Sequence, residues 1–588
     1  MKNKLIIYLM FLGLICICTS SIIPGTTNTK FQAKNRFNVK QFGAVADGKT
    51  DDSEAFKKAI EAAIKTGKNT VVFVPSGHYK LSTPMGGGMI EIKKASNLTL
   101  EGEKGTFLVS SVPTKHIINI DSSSNIVVRN FEMDRNPFVF TQGVVDKIDM
   151  VSKTVEVSID KGYDEPNAQF LARLKAFMVF TDPKADTWDH SKYWPNIVTR
   201  DRISPMKWKF TLTSEPLQTY LGKKFLIWNN VYKGWGVVCN NSRDCLIENI
   251  KYYSGGADAG IGVWGCNGTI TYRNFTTGIP KGSNRLFAAA GGSQEFENRG
   301  TIILDGCDFS RIDDDGFNMG TAYVKVLKQI DSRTIIVERK NTPYVVGDTL
   351  ALWDWFLKKE RNEAVLVKFT KNDDRTVTLV LNKDVEVLHP VGSVGLPLRS
   401  EYKGGGRFEE FDGIDRLADF QAAGKSIIRN CRFQSMRARC ILIKTSNSII
   451  ENNTFYNTHM TAILAGTEFY WGEAPAIHNL IIRNNRFINI DGCSINLGCF
   501  KSDNSYDNKN ILIEGNTFEN YGAVGGVGIA GIQGTAVLIR NADGVVIRNN
   551  KFGPPAPTAP KGSKPLVVEV SRNVKIENNT GIDNKLIQ

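Results

Sequence analysis

Short runs of β-branched and other apolar residues recur along the C-terminal third of the chain, and each is followed by a polar turn and, in most copies, a phenylalanine. The six copies are IIRNCRF (427–433), IIENNTF (449–455), IIRNNRF (481–487), LIEGNTF (512–518), VVIRNNKF (545–552) and VKIENNT (574–580). Weaker copies such as CLIENIKYY and IILDGCDF lie nearer the N-terminus. A single run cannot bury its apolar face, but stacked copies can. The pattern predicts an all-β fold of short strands coiled into a solenoid.

The spacing of the copies indicates the type of solenoid. Their phenylalanines, at positions 433, 455, 487, 518 and 552, are 22 to 34 residues apart, which is about one turn of a large β-coil. Successive turns would lie ~4.8 Å apart, as strands do in a sheet. Aligned copies place these residues in one column: Cys431, Asn453, Asn485, Asn516, Asn550 and Asn579. Because stacked asparagine amides can hydrogen-bond along such a column, the repeat predicts a right-handed parallel β-helix.

The N-terminal segment 37–81 has a helical pattern. Thr50, Asp51 and Asp52 are residue types that cap helix N-termini. The apolar face of the predicted helix consists of Ala55, Ala59, Ile60 and Ala63. Such a helix would cover the end of the solenoid, where strand edges are otherwise unpaired. The segment resembles the N-terminal cap of pectate-lyase-like β-helix proteins.

Two long segments, 139–229 and 322–400, lack the repeat. They contain alternating runs such as KTVEVSI, KWKFTLT, RTIIVER and RTVTLVLN, separated by turn residues. Alternation is typical of half-buried strands, so each segment is predicted to form a small β-barrel inserted into a solenoid turn. The insertions are either inert elaborations or walls of a binding groove. The solenoid itself is assigned to residues 37–138, 230–321 and 401–588.

The first twenty residues, MKNKLIIYLMFLGLICICTS, combine two lysines with an apolar run of signal-peptide length. Cys18 and Ser20 fit the −3 and −1 places of a signal-peptidase site, and a lipid anchor on Cys16 or Cys18 is the alternative. After residue 20 the sequence contains no stretch long and apolar enough to span a bilayer. We therefore expect a secreted or periplasmic protein, with a surface lipoprotein as the alternative.

Composition adds a hint about partners. The 588-residue chain has a formal net charge of +13, which favours an acidic partner such as a sulfated or carboxylated polysaccharide, an anionic lipid or a nucleic acid. Its basic residues are scattered and no nucleic-acid motif is present, so no nucleic-acid partner is predicted. The ten cysteines include no CxxC pair. No zinc site and no cofactor are therefore predicted.

The sequence RIDDDGFNMG, 311–320, carries three consecutive aspartates, which repel one another unless they are solvated, neutralised or used. Asp313, Asp314 and Asp315 lie four, five and six residues after Phe309, which aligns with the repeated phenylalanines. The same offsets in the later copies fall on Arg437 and Arg439, on His459, and on Asp491. One face of the solenoid is therefore predicted to combine carboxylates with guanidinium groups, which suits a polyhydroxylated or anionic ligand.

Strand alternation would turn Asp313 and Asp315 outward and Asp314 inward. An inward charge is prohibitive in a dry core, so we expect a bend here, which Gly316 permits. Simpler interpretations stay open. The run could form only a turn, or its carboxylates could bind calcium. The arginines and the histidine on the same face could be structural ion-pair and hydrogen-bonding residues.

Paired carboxyl groups suit the cleavage of a glycosidic bond, because one protonates the leaving oxygen while the other acts as nucleophile or base. Crowding raises the pKa of one carboxyl group, so that it keeps its proton near neutral pH. A separation of ~5 Å gives retention of configuration and ~6.5–9.5 Å gives inversion. Side chains on neighbouring turns cover both ranges, so either outcome is open.

Three phrases carry a family resemblance: CDFSRIDDDGFNMG (307–320), SMRARCILIKTSNSIIENNTFYNTHMTAILAG (435–466) and FYWGEAPAIHNLIIRNNRF (469–487). They resemble glycoside hydrolase family 110, the exo-acting α-1,3-galactosidases. The layout of a β-helix with two β-barrel insertions also matches that family, so the resemblance covers nearly the whole chain. It implies that Asp314 and Asp315 are the acid and base, with Asp313 as a further catalytic candidate.

The substrate-binding candidates beside these aspartates are Arg437, Arg439, His459, Trp471, Glu473 and Glu295. The first two, with Trp471 and Glu473, match family residues. One position departs from the family pattern, because a further Asp about a turn upstream of the pair is replaced here by Gly291. Glu295 is the nearest carboxylate to that position. A different linkage or sugar, a relocated acid such as Asp313, and a lost activity are all open.

The resemblance implies a secreted glycoside hydrolase that cleaves α-galactosidic linkages, α-1,3 among them, in a galactose-containing and, given the basic charge, sulfated glycan. One alternative is a polysaccharide lyase or epimerase, in which Arg or Lys abstracts a proton and calcium on the aspartates neutralises a uronate. Another is a non-catalytic glycan-binding β-helix. A polygalacturonase is disfavoured, because none of the six histidines lies in a Gly-His-Gly element. The sequence gives no indication of the oligomeric state.

Overall fold

The computed structural model describes residues 35–584, with gaps at 68, 169–170, 172–175, 183–186, 189–194, 229–233, 341–342, 356, 392–412, 499–504 and 524–531. The predicted signal segment 1–20 lies outside the described residues. Within them, no helix has the length and apolar character needed to cross a membrane.

The N-terminal part of the chain forms the first turns of a parallel β-rod. Its α-helix, α1, is Ser53–Lys65, and a 3₁₀-helix is Val39–Phe42. Its strands are β1 (Asn35–Asn38), β2 (Asp47–Asp51), β3 (Thr70–Val74), β4 (Gly77–Leu81), β5 (Gly88–Lys93), β6 (Ser96–Gly102), β7 (Thr106–Ser110), β8 (His116–Asp121) and β9 (Ser124–Arg135). Each strand pairs in parallel with one on the next turn, as β3 does with β6 and β6 with β9.

The first insertion follows β9. Its strands are β10 (Phe140–Asp149), β11 (Thr154–Ile159), β12 (Ala176–Asp182), β13 (Thr187–Trp188), β14 (Ile197–Ser204), β15 (Lys207–Leu212) and β16 (Lys224–Trp228). A 3₁₀-helix, Gln218–Tyr220, precedes β16. The strands form a seven-stranded antiparallel sheet in the order β13–β12–β16–β10–β11–β15–β14. Where the sequence predicts a small barrel, the described strands thus give a sheet with β13 and β14 at its edges.

The rod continues after the first insertion. β17 pairs in parallel with β8, which precedes the insertion, so the stacking of the turns is not interrupted. The strands of this part are β17 (Val237–Asn240), β18 (Arg243–Tyr252), β19 (Ile261–Trp264), β20 (Asn267–Thr277), β21 (Ser293–Phe296), β22 (Thr301–Asp305), β23 (Asp308–Ser310) and β24 (Phe317–Ala322).

The second insertion is a closed six-stranded barrel in the order β25–β26–β29–β28–β27–β30. Its strands are β25 (Val324–Asp331), β26 (Thr334–Glu338), β27 (Thr349–Asp354), β28 (Lys359–Lys371), β29 (Thr376–Leu381) and β30 (Arg416–Asp419). β30 lies C-terminal to residue 400, where the sequence places the end of this insertion. It still belongs to the barrel, because it pairs with both β25 and β27.

The C-terminal part returns to the rod. Its strands are β31 (Lys425–Arg429), β32 (Arg432–Met436), β33 (Ile441–Ile443), β34 (Ser448–Glu451), β35 (Thr454–Thr458), β36 (Ile463–Ala465), β37 (Glu473–Ala474), β38 (His478–Arg483), β39 (Arg486–Ile490), β40 (Ile495–Leu497), β41 (Asn508–Glu514), β42 (Thr517–Tyr521), β43 (Val537–Arg548), β44 (Lys551–Phe552) and β45 (Leu566–Glu577). Two 3₁₀-helices are Gln421–Ala423 and Phe469–Trp471.

The predicted phenylalanine column forms the centre of the core. Phe309 joins the column, and its ring centroid lies 5.3 Å from that of Phe433. The later rings continue the stack, with centroids 4.8–5.2 Å apart: Phe433, Phe455, Phe487, Phe518 and Phe552. All six are buried. This confirms the predicted parallel solenoid, because only stacked turns bring residues so far apart in sequence to this spacing.

The asparagine column forms as predicted. The side-chain oxygen of Asn485 accepts from the backbone N–H of Asn453 at 2.9 Å, and that of Asn516 accepts from Asn485 at the same distance. Each amide nitrogen also donates to a backbone carbonyl of the preceding turn, as Asn516 Nδ2 does to Ile482 at 2.9 Å. The buried asparagine amides of this column are satisfied in this way, which offsets the cost of burying them.

Helix α1 covers the rod as the pattern predicts, but its N-terminus is capped differently. The predicted apolar face is buried: Ala55, Ala59, Ile60 and Ala63. Asp52 is the N-cap residue, yet its carboxylate accepts from the backbone of Val45 and Ala46 and makes no capping hydrogen bond. Asp51 instead accepts from the N–H and hydroxyl of Ser53.

Each insertion packs on a different segment of the rod. The core of the first insertion includes Leu286 and Phe287, and Gln142 binds the backbone of Asn284 and Leu286 at 2.8 and 3.0 Å. The second insertion holds Phe469 in an aromatic cluster with Tyr323, Trp353 and Trp355. Both insertions therefore support loops of the rod, and these loops adjoin the aspartate run.

Candidate functional site

The three consecutive aspartates lie between β23 and β24, and the two arginines lie between β32 and β33 on the next turn. Both strand pairs have the same parallel register, in which paired residues are separated by 124 positions. Asp313 therefore stands opposite Arg437, and Asp315 stands opposite Arg439. The offsets counted from the phenylalanines predicted this neighbourhood.

The burial of the run is the reverse of what alternation predicts. Asp313 and Asp315 are buried, whereas Asp314 is only half-buried. The backbone bends at this point, as expected, and the N–H of Asp315 donates to Asp314 Oδ1 at 2.9 Å. Gly316 lies against the backbone oxygen of Cys440, where an added Cβ would come within 2.5 Å. The bend exposes the middle aspartate because the chain packs closely on the next turn.

Asp313 is a fully buried carboxylate with one partner. Arg437 Nε donates to its Oδ1 at 2.7 Å, while its Oδ2 has no hydrogen-bond partner among the described residues. Burial raises the pKa of Asp313 to about 7, although the charge of Arg437 favours the ionised form. Asp313 is therefore close to half-protonated at neutral pH.

Arg439 joins two acids in a buried network. Its Nε donates to Asp315 Oδ1 at 2.5 Å and its Nη2 to Asp315 Oδ2 at 2.7 Å, a bidentate pair. Its Nη1 lies 3.4 Å from Glu468 Oε1, whereas Glu468 Oε2 is buried without a partner among the described residues. Burial raises the pKa of Asp315 and of Glu468, against the charge of Arg439. The network thus holds two acids and one permanent cation.

A second cluster of polar side chains anchors the segment that contains Trp471. The fully buried Lys444 donates to Asn318 Oδ1 and to Glu473 Oε2, each at 2.9 Å. Asn318 also donates to both carboxylate oxygens of Glu473, at 3.3 and 3.2 Å. Trp471, two residues before Glu473, is 40% exposed. An exposed tryptophan anchored by a buried ion pair is suited to stacking on a sugar ring.

His459 and Asp491 extend the line of charged groups over two further turns. His459 Nδ1 lies 3.1 Å from Asp491 Oδ2, and their side chains are 18% and 31% exposed. The backbone N–H of His459 donates to Met436, which precedes Arg437. The predicted order of Asp313, Arg437, His459 and Asp491 along the rod is therefore present in the structure.

Glu295 does not lie in this site, and the sequence prediction for it is corrected. In β21 it is fully buried and stands opposite Val263 on one side and Met319 on the other, both core residues. Neither carboxylate oxygen has a partner among the described residues, and burial raises its pKa well above the usual range. Glu295 faces the interior of the rod, so it cannot bind a substrate there.

Four residues of the site escaped the sequence analysis. Glu468, Lys444, Asn318 and Asp258 are each buried next to the predicted groups, and none belongs to the repeated phrase. Lys444 alone gave a signal, since it ends the apolar run CILIK, where a lysine needs a buried partner. Glu468 lies between the second and third of the phrases that carry the family resemblance, 435–466 and 469–487, at a position without a predicted role.

The spacing of potential metal ligands bears on whether the aspartate run binds calcium. Among the described residues, the ligand atoms of Glu360, Glu363 and His478 lie within 4.8 Å of one another, and this is the one cluster of that kind there. Lys509 already pairs with Glu363 and lies 3.7 Å from Glu360. The aspartate run is not part of that cluster, and Asp313 and Asp315 each contact an arginine.

The geometry provides the parts for acid–base chemistry on a polar ligand. Asp314 is half-buried, and two further carboxyl groups with raised pKa values flank it. The arginines hold the flanking carboxyl groups in place and supply positive charge. Trp471, Glu473 and the His459–Asp491 pair lie on the neighbouring turns. Such a combination of carboxyl, cationic and aromatic groups suits carbohydrate recognition and cleavage.

Comparisons with known families agree with this fold. A family model described as "Rhamnogalacturonase A/epimerase, pectate lyase-like" matches residues 36–164, and a model described as "Right handed beta helix region" matches residues 408–530. A solved structure with a similar outline is the mannuronan C-5 epimerase AlgE4 A-module of Azotobacter vinelandii, which is 10% identical and has a TM-score of 0.45 over 93% of this chain and 95% of its own.

Two relatives are similar over most of their length. An alpha-1,3-galactosidase A of Bacteroides fragilis is 23% identical over 542 residues, covering 83% of this chain and 84% of the relative. An alpha-1,3-galactosidase A of Shewanella woodyi is 23% identical over 504 residues, covering 80% and 79%. The chain is a right-handed parallel β-helix protein whose N-terminal part matches the pectate lyase-like model. It is a distant homologue, at 23% identity, of proteins named alpha-1,3-galactosidase.

Proposed function

We propose that the chain is a glycoside hydrolase that cleaves α-galactosidic linkages, α-1,3 among them, in a galactose-containing glycan. One observation carries the proposal. The aspartates and arginines that the sequence places 124 residues apart lie in direct contact on one face of the rod. Proteins named alpha-1,3-galactosidase are its relatives over most of the chain, which supports the choice of sugar.

In this proposal Asp314 is the general acid and Asp315 the general base. Asp314 suits the role of acid because it is the aspartate of the three that reaches the surface, where a glycosidic oxygen can approach it. Asp315 suits the role of base because Arg439 stabilises its ionised form. Asp313, with a pKa of about 7, supplies a further carboxyl group that can hold a proton at neutral pH.

The groups on the neighbouring turns would hold the sugar. Trp471 offers an exposed face for stacking on a galactose ring, and Glu473 can accept hydrogen bonds from hydroxyl groups. Arg437 and His459 lie on the line from the acids toward the C-terminal end of the rod and can donate to hydroxyl or sulfate oxygens. The formal net charge of +13 favours an acidic, for example sulfated, glycan.

The test is incubation of the purified chain with aryl α-galactosides, α-1,3-linked galactosides and sulfated galactans, with the products separated by chromatography. Release of galactose by the wild-type chain is expected, and Asp314→Asn should lower kcat/KM about 10²- to 10⁴-fold. Asp308→Asn is the matched control, because Asp308 lies six residues earlier and pairs with Arg432 outside the acid cluster. Full activity in Asp314→Asn would exclude the assigned acid.

The same incubation separates the alternatives. A lyase would give an unsaturated product that absorbs in the ultraviolet, and a calcium-dependent lyase or epimerase would lose activity with a chelator. A non-catalytic binding protein would retain glycan without releasing any product. Galactose release that a chelator does not affect supports hydrolysis.

We further propose that the chain is exported. The support is the sequence of residues 1–20, in which two lysines precede an apolar run and small residues. Expression of the full chain in a bacterial host followed by cell fractionation would test this, and N-terminal sequencing of the product would locate any cleavage. A chain found with its first residue intact in the cytoplasm would contradict the proposal.

A further inference from the structure

A cavity of about 310 Å³ lies between the rod and the first insertion. On the rod side it is formed by strand β7, the segment that follows β9 and the loop between β20 and β21, and on the insertion side by the turn that follows β11. This volume is at the lower end of the range for ligand pockets, so the cavity suits a single sugar ring. Its walls include Phe107, Asp134, Asn136, Phe138, Asp164 and Arg285.

One wall of the cavity is a buried ion pair. Arg285 Nη2 donates to Asp134 Oδ2 at 2.6 Å and Arg285 Nη1 donates to Oδ1 at 3.1 Å, and the two side chains are 8% and 11% exposed. The guanidinium carbon of Arg285 also lies 4.2 Å from the ring centroid of Phe138. Because a bidentate pair holds both side chains in one orientation, this wall is fixed before a ligand binds.

Two half-buried phenylalanine rings supply the apolar part of the wall. The ring centroid of Phe107 lies 5.3 Å from that of His78 and 6.3 Å from that of Tyr253. Phe138 is stacked on Phe140, with centroids 5.6 Å apart. Neighbouring rings therefore hold both phenylalanines in position, and each offers apolar surface to the C–H groups of a sugar.

Three polar groups of the cavity are available to a ligand. Asn136 and Asp164 are exposed, and within the described ranges neither the side-chain amide of the first nor the carboxylate of the second makes a hydrogen bond. Arg285 Nε likewise has no acceptor in the part of the chain that the structure describes, although both Nη atoms are used. An amide, a carboxylate and an N–H donor together match the mixed donors and acceptors of sugar hydroxyl groups.

The charges of the cavity balance one another. Arg135 and Arg285 line it with positive charge, and Asp134 and Asp164 line it with negative charge. Arg135 is also occupied by backbone carbonyl groups, among them that of Pro113 at 3.1 Å. A site without a strong net charge does not select an ion, so its chemistry suits an uncharged sugar unit.

The register of the rod relates the cavity to the aspartate run. Met133 in β9 is connected to Phe309 in β23 through β18 and β20, with parallel pairing at each of the three steps. Asp134 and Asp313 follow these two residues in the chain. They are therefore three turns apart, about 14 Å along the rod, which a glycan of several units can span.

We propose that this cavity is a second carbohydrate-binding site, which holds an uncharged sugar unit of the glycan while another unit occupies the site at the aspartate run. Asn136, Asp164 and Arg285 Nε bind its hydroxyl groups, and the two phenylalanine rings contact its C–H groups. Binding at the cavity depends on no catalytic step. Only its kinetic consequence rests on the proposed hydrolase function, so the two proposals can fail separately.

The binding experiment is affinity electrophoresis in native gels that contain a soluble neutral galactan. The galactan should retard the wild-type chain. Asn136→Trp, which fills the cavity from an exposed position, and Phe107→Ala, which removes apolar contact, should each weaken the apparent affinity about three- to tenfold. Val151→Trp is the control, because Val151 is 95% exposed and precedes β11, whereas the cavity lies at the other end of that strand. No retardation of the wild type, or full affinity in both cavity variants, would overturn the inference.

The kinetic experiment compares kcat/KM for the neutral galactan with kcat/KM for an aryl α-galactoside, whose single sugar cannot occupy both sites. Asn136→Trp should lower the ratio of the two constants about three- to tenfold, and Val151→Trp should keep the wild-type ratio. A wild-type ratio in Asn136→Trp would overturn the second site while leaving the hydrolase proposal intact. Absence of galactose release from the wild-type chain would instead contradict the hydrolase proposal, and the electrophoresis would still decide whether the cavity binds sugar.

Discussion

Arg439 holds Asp315 through both carboxylate oxygens, with Nε 2.5 Å from Oδ1 and Nη2 2.7 Å from Oδ2. The two side chains are 9% and 7% exposed, so the pair is shielded from water and from salt. Glu468 on the following turn shares the same guanidinium group. A single arginine thus fixes the position of the proposed base and balances two buried acids.

Removal of that arginine should destabilise the rod strongly. We expect Arg439→Ala to lower the free energy of unfolding by about 3–5 kcal/mol, because it leaves buried carboxyl groups without their counter-charge. Urea unfolding followed by circular dichroism measures the change. The control is Arg432→Ala on the same turn, whose side chain is 59% exposed in its ion pair with Asp308. The control should cost at most about 1 kcal/mol. Equal losses in the two variants would contradict the prediction.

The raised pKa of Asp313 predicts how stability depends on pH. Burial raises the pKa of Asp313 from its ordinary value of 3.8 to about 7 in the folded chain. The folded state therefore binds more protons than the unfolded state between these values. This contribution to stability is complete below about pH 4 and is lost as the pH rises to about 7.

Replacement of Asp313 should reduce that loss. We expect the free energy of unfolding of Asp313→Asn to fall less steeply from pH 4 to 7, by up to about 1.4 kcal/mol per pH unit relative to the wild type. Urea titrations at a series of pH values measure the two slopes. Asp308→Asn, with the same chemical change at a more exposed position, should follow the wild-type slope. A parallel slope for Asp313→Asn would show that its carboxyl group is ionised throughout.

Trp471 should affect substrate binding without affecting stability. We expect Trp471→Ala to raise KM for galactosides about three- to tenfold with little change in kcat, because stacking on a bound sugar is lost equally in ground and transition states. Its free energy of unfolding should change by at most about 0.5 kcal/mol, as at other exposed positions. Steady-state kinetics with an aryl galactoside measures both constants.

Phe369→Ala is the matched control for that variant. Phe369 lies on barrel strand β28 and is 39% exposed, compared with 40% for Trp471. It should leave KM unchanged. An unchanged KM in Trp471→Ala would remove this residue from the proposed sugar-binding group.

Replacement of an asparagine in the buried column should lower the free energy of unfolding. Asn516→Ala removes the acceptor of the buried Asn485 N–H and the donor to the Ile482 carbonyl, both at 2.9 Å. We expect it to lower the free energy of unfolding by about 2–5 kcal/mol, since each buried group left without a partner costs about 1–3 kcal/mol. Asn479→Gly, at an exposed position of left-handed backbone that glycine adopts freely, is the control. It should cost far less in the same urea titration.

The fold was predictable because the spacing of the repeated residues indicates which residues of successive turns lie opposite each other. Phenylalanine and asparagine recur at intervals that match one turn, and the columns they form are those that the structure shows. The same counting located Asp313 opposite Arg437. The counting succeeded because an insertion that leaves and rejoins the rod at one turn does not disturb the pairing of the turns on either side.

The rest of the site depended on packing that no repeat encodes. Asp258 lies in the phrase GGADAGIG, whose small residues give no periodic signal. Glu295 was selected only because it is the carboxylate nearest in sequence to Gly291, and nearness in sequence does not indicate which face of a strand a side chain occupies. In the structure Glu295 points inward and Phe296 is partly exposed. Glu468 is buried beside Phe469, which packs against the barrel aromatics, and no repeat predicts that packing.

The constant rise between turns also bears on how such a chain can acquire a new specificity. The backbone ladder and the buried asparagine and phenylalanine columns are maintained by residues that do not face the ligand. A single turn can therefore exchange its outward-facing side chains while the turns above and below keep their geometry. A homologue that acts on a different sugar or linkage needs to differ in only one or two layers of the rod.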